Sequence, residues 1–135
     1  MTRTILVAED SDELRDVFKQ LLERNGYRVL EARDGREAVT SAVRARPELT
    51  IMDLGMPGTD GLSAIAEIRE QVPVSEMQIL IVSAYDRLEY RTEAVSAGCA
   101  GYLTKPVDMN DLLAAVRRLL KDDNPGAEGA EGAGV

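Results

Sequence analysis

Three carboxylates, a hydroxyl and an amine stand at the ends of apolar runs in this chain. Glu9 and Asp10 follow "TILVA", Asp53 follows "LTIM", Ser83 closes "QILIVS", and Lys105 follows "GYLT". Crowded acids repel one another, and burying them is costly, unless a cation sits among them. With no histidine and a single cysteine in the chain, hard oxygen ligands select Mg2+ over zinc or copper. A lysine aimed into such a cluster pairs with a bound phosphate as a point charge. Alone, each residue has a blander use. An acidic pair is most often a solvated helix cap, and an isolated lysine after a strand is usually only solvated. Asp53 would be another cap, but Asp60, seven residues on, already fits that role.

The surrounding pattern says what must position these groups. Apolar runs alternate with segments of helical period, as expected when each strand of a parallel sheet is covered by the helix that follows it. The strands read as Thr4 to Ala8, Tyr27 to Ala32, Leu49 to Met52, Gln78 to Ser83 and Gly101 to Thr104. Near-continuous apolar content in "TILVA" and "QILIV" fits strands buried on both faces. Leu14, Val17, Phe18, Leu21 and Leu22 make a helical stripe after Ser11 or Asp12, stopped at Gly26. Asp34 opens a second helix with Ala38, Ala42 and Val43, and Asp60 a third with Leu62, Ile65, Ala66 and Ile68. Ala94, Val95 and Ala97 mark a weaker fourth ending at Gly98, and Asp108 starts the last, with Leu112, Leu113, Val116, Leu119 and Leu120. Ligands of such open α/β sheets sit beyond the carboxyl ends of the strands, the edge at which the candidate residues fall.

Composition bounds the rest. At 135 residues and 44% hydrophobic content, the chain holds one domain, residues 1–121. Residues 122–135, "DDNPGAEGAEGAGV", have no large apolar side chain before Val135 and read as a disordered tail or a truncated linker. Half of the net charge of -8 lies in that tail. An acidic chain of pI about 4.6 argues against direct binding to nucleic acid or an anionic membrane and suits a cationic partner surface. Cys99 is the only cysteine and reads as a small buried side chain. No apolar run approaches the ~20 residues of a membrane span, and the reading is cytoplasmic.

In order and spacing, "ILVAEDSDELR", "DLGMPGTDG", "IVSAYD" and "GYLTKPVD" resemble the CheY-like receiver domain of two-component response regulators, over residues 3–121. The resemblance implies a flavodoxin-like, doubly wound (βα)5 fold of the α/β class with strand order 2-1-3-4-5. It implies that Asp53 is the phosphoacceptor, taking a phosphoryl group from the phosphohistidine of a sensor histidine kinase or phosphotransfer protein. Asp10 and Asp53 then ligate Mg2+ directly, the Gly55 backbone carbonyl is a further ligand, and Glu9 reaches the ion through water. Lys105 and the Ser83 hydroxyl bind phosphoryl oxygens after transfer. Ser83 and Tyr102 form the switch, and Lys105-Pro106 is a peptide bond held cis. The surface of the fourth helix, fifth strand and fifth helix then controls an effector protein or a fused output domain. Such a domain promotes its own phosphorylation and dephosphorylation and is no turnover enzyme; it is a monomer or a weak, phosphorylation-linked dimer.

The chain departs from the family pattern in places. Glu9 stands where aspartate is commoner; the added methylene moves its carboxylate by more than about 1 Å, which a water-mediated ligand absorbs. Gly58-Thr59 replace a bulkier apolar residue, which bears on loop stiffness. Gly55 has no side chain to position an attacking water and Tyr85 stands two residues after Ser83 as a shield, so the phosphorylated form is expected to hydrolyse slowly. Ala115 and "AGCAGYL" lean away from the winged-helix transcription-factor branch and its dimer. Two other readings compete. Asp10-Ser11-Asp12 matches the D-x-D of haloacid-dehalogenase-type phosphatases, but "DSDEL" lacks the expected Gly-Thr continuation and no second acidic pair follows. A pseudo-receiver, binding partners without phosphorylation, is opposed by the complete acid, hydroxyl and lysine set.

Overall fold

A computed structural model of the protein describes residues 2–56, 60–85 and 87–122. Strands and helices alternate: β1 (Thr4–Ala8), α1 (Asp12–Arg24), β2 (Arg28–Ala32), α2 (Gly35–Ala45), β3 (Leu49–Met52), α3 (Gly61–Gln71), β4 (Gln78–Ser83), α4 (Leu88–Ser96), β5 (Gly101–Thr104) and α5 (Met109–Leu120). The five strands are parallel, in order β2-β1-β3-β4-β5. This is the flavodoxin-like arrangement.

Register places the chemistry. Ala8 pairs with Ala32 and Met52, and Ser83 with Thr104. The ladder continues one step past the strands, with the Asp53 N–H on the Ala8 carbonyl at 3.0 Å and the Lys105 N–H on the Ser83 carbonyl at 2.8 Å. Glu9, Asp53 and Lys105 therefore leave the sheet at one edge.

Alternation along the central strands feeds two cores. Leu6, Met52, Ile79 and Ile81 pack with Ala38, Ala42, Ile65 and Ile68 of α2 and α3. Ile5, Val7, Ile51, Leu80 and Val82 pack on the other face with Phe18 and Leu22 of α1 and Leu112 and Val116 of α5. Burying each large aliphatic side chain contributes about 1.5–3 kcal/mol, so both faces hold the site edge rigid.

Most helices begin on side-chain caps. Ser11 Oγ accepts from the Leu14 N–H at 3.2 Å, Asp34 from Glu37 at 2.8 Å, Asp60 from Ser63 at 3.0 Å, and Asp108 from Asn110 and Asp111. The helix α4 starts at Arg87 with no side-chain cap. Gly26 and Gly98, at φ +91° and +92°, supply the left-handed turns after α1 and α4.

Several expectations shift. Tyr27 is not in β2: its N–H closes back on the Leu22 carbonyl at 3.1 Å, so it belongs to the turn after α1. Val17 and Val95, expected in apolar stripes, are 45% and 72% exposed because neither neighbouring helix nor strand reaches that flank; Ala66 is exposed as well. Asp122, at the start of the expected tail, is tied to the domain through its own N–H to the Arg117 carbonyl and through the Tyr27 hydroxyl at 3.0 Å. Residues 123–135, and Gly58-Thr59, lie outside the described residues. Among the described residues no helix is long and apolar enough to cross a membrane.

Candidate functional site

The turn after β1 buries one acid and exposes the next. Glu9 is 2% exposed, with its Oε2 accepting from the Ser11 N–H at 3.0 Å, while Asp10 faces solvent. Asp53, beyond β3, is 5% exposed and its Oδ1 accepts from the Gly55 N–H at 2.9 Å. One carboxylate oxygen from each of Glu9, Asp10 and Asp53 lies within 4.8 Å of the others. Lys105, beyond β5, brings Nζ to 2.9 Å from Glu9 Oε1 and 3.3 Å from Asp53 Oδ2. Four of the residues singled out by their place at strand ends thus meet in one cluster, with Gly55 bonded to its centre.

Charge at this edge is under-compensated. Burial pushes the Glu9 carboxyl above its ordinary value, and repulsion from Asp53 adds to that against the pull of Lys105 and the Ser11 N–H. Burial opposes the Lys105 charge, yet the close ion pair with Glu9 and the charge of Asp53 outweigh it and raise its pKa. Although Lys105 is at ion-pair distance, buried Glu9 Oε1 has no aligned hydrogen-bond donor. A buried oxygen short of a donor, among carboxylates that share one ammonium, fits a hard divalent cation such as Mg2+.

The remaining predicted residues lie on β4, on β5 and just beyond it. Ser83 is fully buried, and its Oγ accepts from the Tyr85 N–H at 3.0 Å; it makes no hydrogen bond to Asp53. Tyr102, on β5, donates from its hydroxyl to the Tyr85 carbonyl, and the Arg91 guanidinium lies 4.6 Å over its ring. Tyr102 is thus tied to the loop that follows Ser83 rather than to the acids. The Lys105-Pro106 peptide is cis.

Two features escaped the sequence reading. Tyr85 stacks on Tyr90 at 4.9 Å between centroids, and the pair walls a cavity of about 300 Å3 with Leu54, Gly55, Met56 and Asp60 beside the acidic cluster. A Cβ built on Gly55 would lie 3.7 Å from both Asp53 Oδ1 and the Tyr85 hydroxyl. The second is Arg15, which is buried beneath the Glu9 turn. Its acid neighbours Asp12 and Glu31 were visible in the sequence, but a charged residue beside Leu14 reads as helix surface.

The family model for the response regulator receiver domain matches residues 5–117. The chain belongs to that family. Among curated relatives, this receiver domain is 34% identical over 131 residues to the response regulator MprA of Mycolicibacterium vanbaalenii, covering 97% of this chain and 56% of that protein. The chain therefore spans about half the length of the curated relatives it matches. Among solved structures it superposes on a CheY-like receiver domain protein from Methanospirillum hungatei with TM-score 0.84 at 28% identity, covering 96% of this chain and all of that one. The receiver domain of the sensor histidine kinase PA1611 from Pseudomonas aeruginosa, determined with magnesium coordinated in its active-site cleft, matches with TM-score 0.80 at 33% identity, over 90% of this chain and 99% of that one.

Proposed function

We propose that this receiver domain accepts a phosphoryl group on Asp53 from the phosphohistidine of a sensor histidine kinase or phosphotransfer protein, and works in the cytoplasm. The observation that carries the reading is the approach of Lys105 to Asp53 and Glu9 at an edge where three carboxylates converge. An Asp53 carboxylate oxygen forms the new bond to phosphorus as the donor's phosphorus–nitrogen bond breaks. Lys105 stays beside the transferred oxygens as a compact charge. Asp10, Asp53 and the Gly55 carbonyl would hold Mg2+, with Glu9 acting through water; the ion supplies the charge neutralisation on which phosphoryl transfer depends. The magnesium in the Pseudomonas receiver supports this assignment.

Ser83 Oγ now accepts from the Tyr85 N–H, and Tyr85 in turn accepts from Tyr102. When Ser83 turns to a phosphoryl oxygen, that loop moves, Tyr102 loses its acceptor and the α4-β5-α5 surface repacks. An effector protein or fused output domain reads the change. The domain promotes its own phosphorylation and dephosphorylation and does not turn over an external substrate.

Incubation with acetyl phosphate and Mg2+, followed by intact mass, tests this. The reading expects a gain of one phosphoryl group that Asp53→Asn abolishes. No gain in the wild type leaves a binding module that works unphosphorylated.

A further inference from the structure

We propose that Arg15 is a positioning residue for the acidic edge: its guanidinium sets the orientation of the Glu9–Asp10 peptide and thereby of the Asp10 carboxylate. The proposal rests on the reading that Asp10 helps to hold Mg2+.

Arg15 lies inside α1 yet is only 8% exposed. Its Nη1 donates to the Glu9 carbonyl oxygen at 2.8 Å, its Nη2 to Asp12 Oδ1 at 2.6 Å and its Nε to Glu31 Oε1 at 3.0 Å. Lys19 holds the other Glu31 oxygen at 3.2 Å. A planar fork with five donors serves acceptors in three directions, as a single ammonium does not. It joins α1, the turn after β1 and the end of β2.

The carbonyl that Arg15 holds belongs to the peptide linking the two acids. Glu9 is fixed on its other side, by its N–H on the Ala32 carbonyl at 3.0 Å and by the Ser11 N–H on its carboxylate. Asp10 is exposed, and among the described residues no side-chain hydrogen bond holds its carboxylate. The direction of Asp10 therefore comes from its backbone, which the Glu9 carboxylate holds on one side through the Ser11 N–H and Arg15 holds on the other at the Glu9 carbonyl.

Charge alone and positioning give opposite signs. Arg15 is a cation near the acidic edge, so by Coulomb attraction and repulsion its removal tightens Mg2+ binding, and removal of the acid Glu31 weakens it. Positioning reverses the first and leaves no change for the second. The experiment titrates wild type, Arg15→Met and Glu31→Gln with MgCl2 at constant ionic strength, reading backbone amide NMR shifts of residues 9–11, with thermal midpoints measured alongside. Arg15→Met is expected to bind Mg2+ about 10- to 100-fold more weakly, the usual loss when a partner that orients a metal ligand is removed. Glu31→Gln is expected to lower the midpoint while Mg2+ affinity stays at the wild-type value. Wild-type or tighter binding by Arg15→Met, or an equal loss in Glu31→Gln, overturns the positioning role. A wild type that binds no Mg2+ overturns the metal reading beneath it. If Arg15→Met does not fold, Arg15→Lys, whose compact ammonium lacks the planar fork that spans Glu9, Asp12 and Glu31, is read in the same way: weaker binding supports the role and unchanged binding overturns it.

Discussion

Replacing Lys105 with methionine removes the ammonium that sits 2.9 Å from Glu9 and 3.3 Å from Asp53. Mg2+ bound by these carboxylates and the lysine compete for the same negative charge, so the substitution strengthens metal binding. At a spacing of about 4 Å, a doubly charged ion and an ammonium repel by about 2 kcal/mol under water-like screening and by about 8 kcal/mol at an effective dielectric of 20. The Lys105 side chain is 23% exposed, so the water-like figure is a floor, and 2 kcal/mol corresponds to about 30-fold in affinity. Asp53 and Glu9 keep their places, because the Gly55 and Ser11 N–H groups hold them independently of Lys105. In the metal-free protein the same change leaves two buried carboxylates uncompensated, at a cost of about 3 kcal/mol of stability, which added Mg2+ restores. The chain has four tyrosines and no tryptophan, so binding is followed by tyrosine emission at constant ionic strength. Folded Lys105→Met that binds Mg2+ no more tightly than wild type refutes the reasoning.

Other perturbations probe the frame and the site. Because the Glu9 pKa is raised, its contribution to stability is complete below the ordinary value of 4.5 and is lost as pH rises through the folded value. Thermal midpoints of metal-free wild type and Glu9→Gln are therefore expected to move apart in favour of the variant as pH rises above about 4.5, and a constant difference contradicts this. A Cβ at Gly61 would meet Leu54 Cα at 2.6 Å and the Asp53 carbonyl oxygen at 3.0 Å; Gly61→Ala should cost about 1–3 kcal/mol in chemical denaturation. Gly55→Ala, with nothing nearer than 3.7 Å, should leave stability unchanged. Burial, with the hydrogen bond to Asp122, pushes the Tyr27 phenol up to about 12. One of the four tyrosines should thus titrate late in alkaline absorbance, the stability it contributes being intact below pH 10 and lost towards 12; Tyr27→Phe abolishes the late step and costs about 1 kcal/mol. With Gly55 bare and the Tyr85 hydroxyl beside it, the phosphorylated form should persist for minutes or longer in Mg2+, and Tyr85→Ala should shorten that lifetime; a wild-type lifetime of seconds contradicts the shielding.

Why the sequence was readable in some places and silent in others has a physical basis. Central parallel strands, buried on both faces, are unbroken apolar runs, so "TILVA" and "QILIVS" mark β1 and β4 to the residue. Once the strand ends are known, the parallel order brings Glu9, Asp10, Asp53 and Lys105 to one edge, and type and position together reveal the cluster. Tyr27 misled because a tyrosine beside a β-run has strand propensity, whereas its N–H is taken by the end of α1. Helical period locates a stripe but not how far the neighbours extend over it, so Val17 and Val95 looked buried. Arg15 was invisible because one of its acceptors is a backbone carbonyl and another is Glu31, sixteen residues away. The Tyr85–Tyr90 stack likewise depends on how the loop between β4 and α4 folds back.

Crystals of the protein soaked in magnesium and beryllofluoride, a mimic of the phosphoryl group, test the central claim most directly. The account expects the ion among Asp10, Asp53 and the Gly55 carbonyl, with beryllofluoride on Asp53 between Lys105 Nζ and a reoriented Ser83 hydroxyl. A pocket that takes up neither, or a mimic bound away from Asp53, contradicts it.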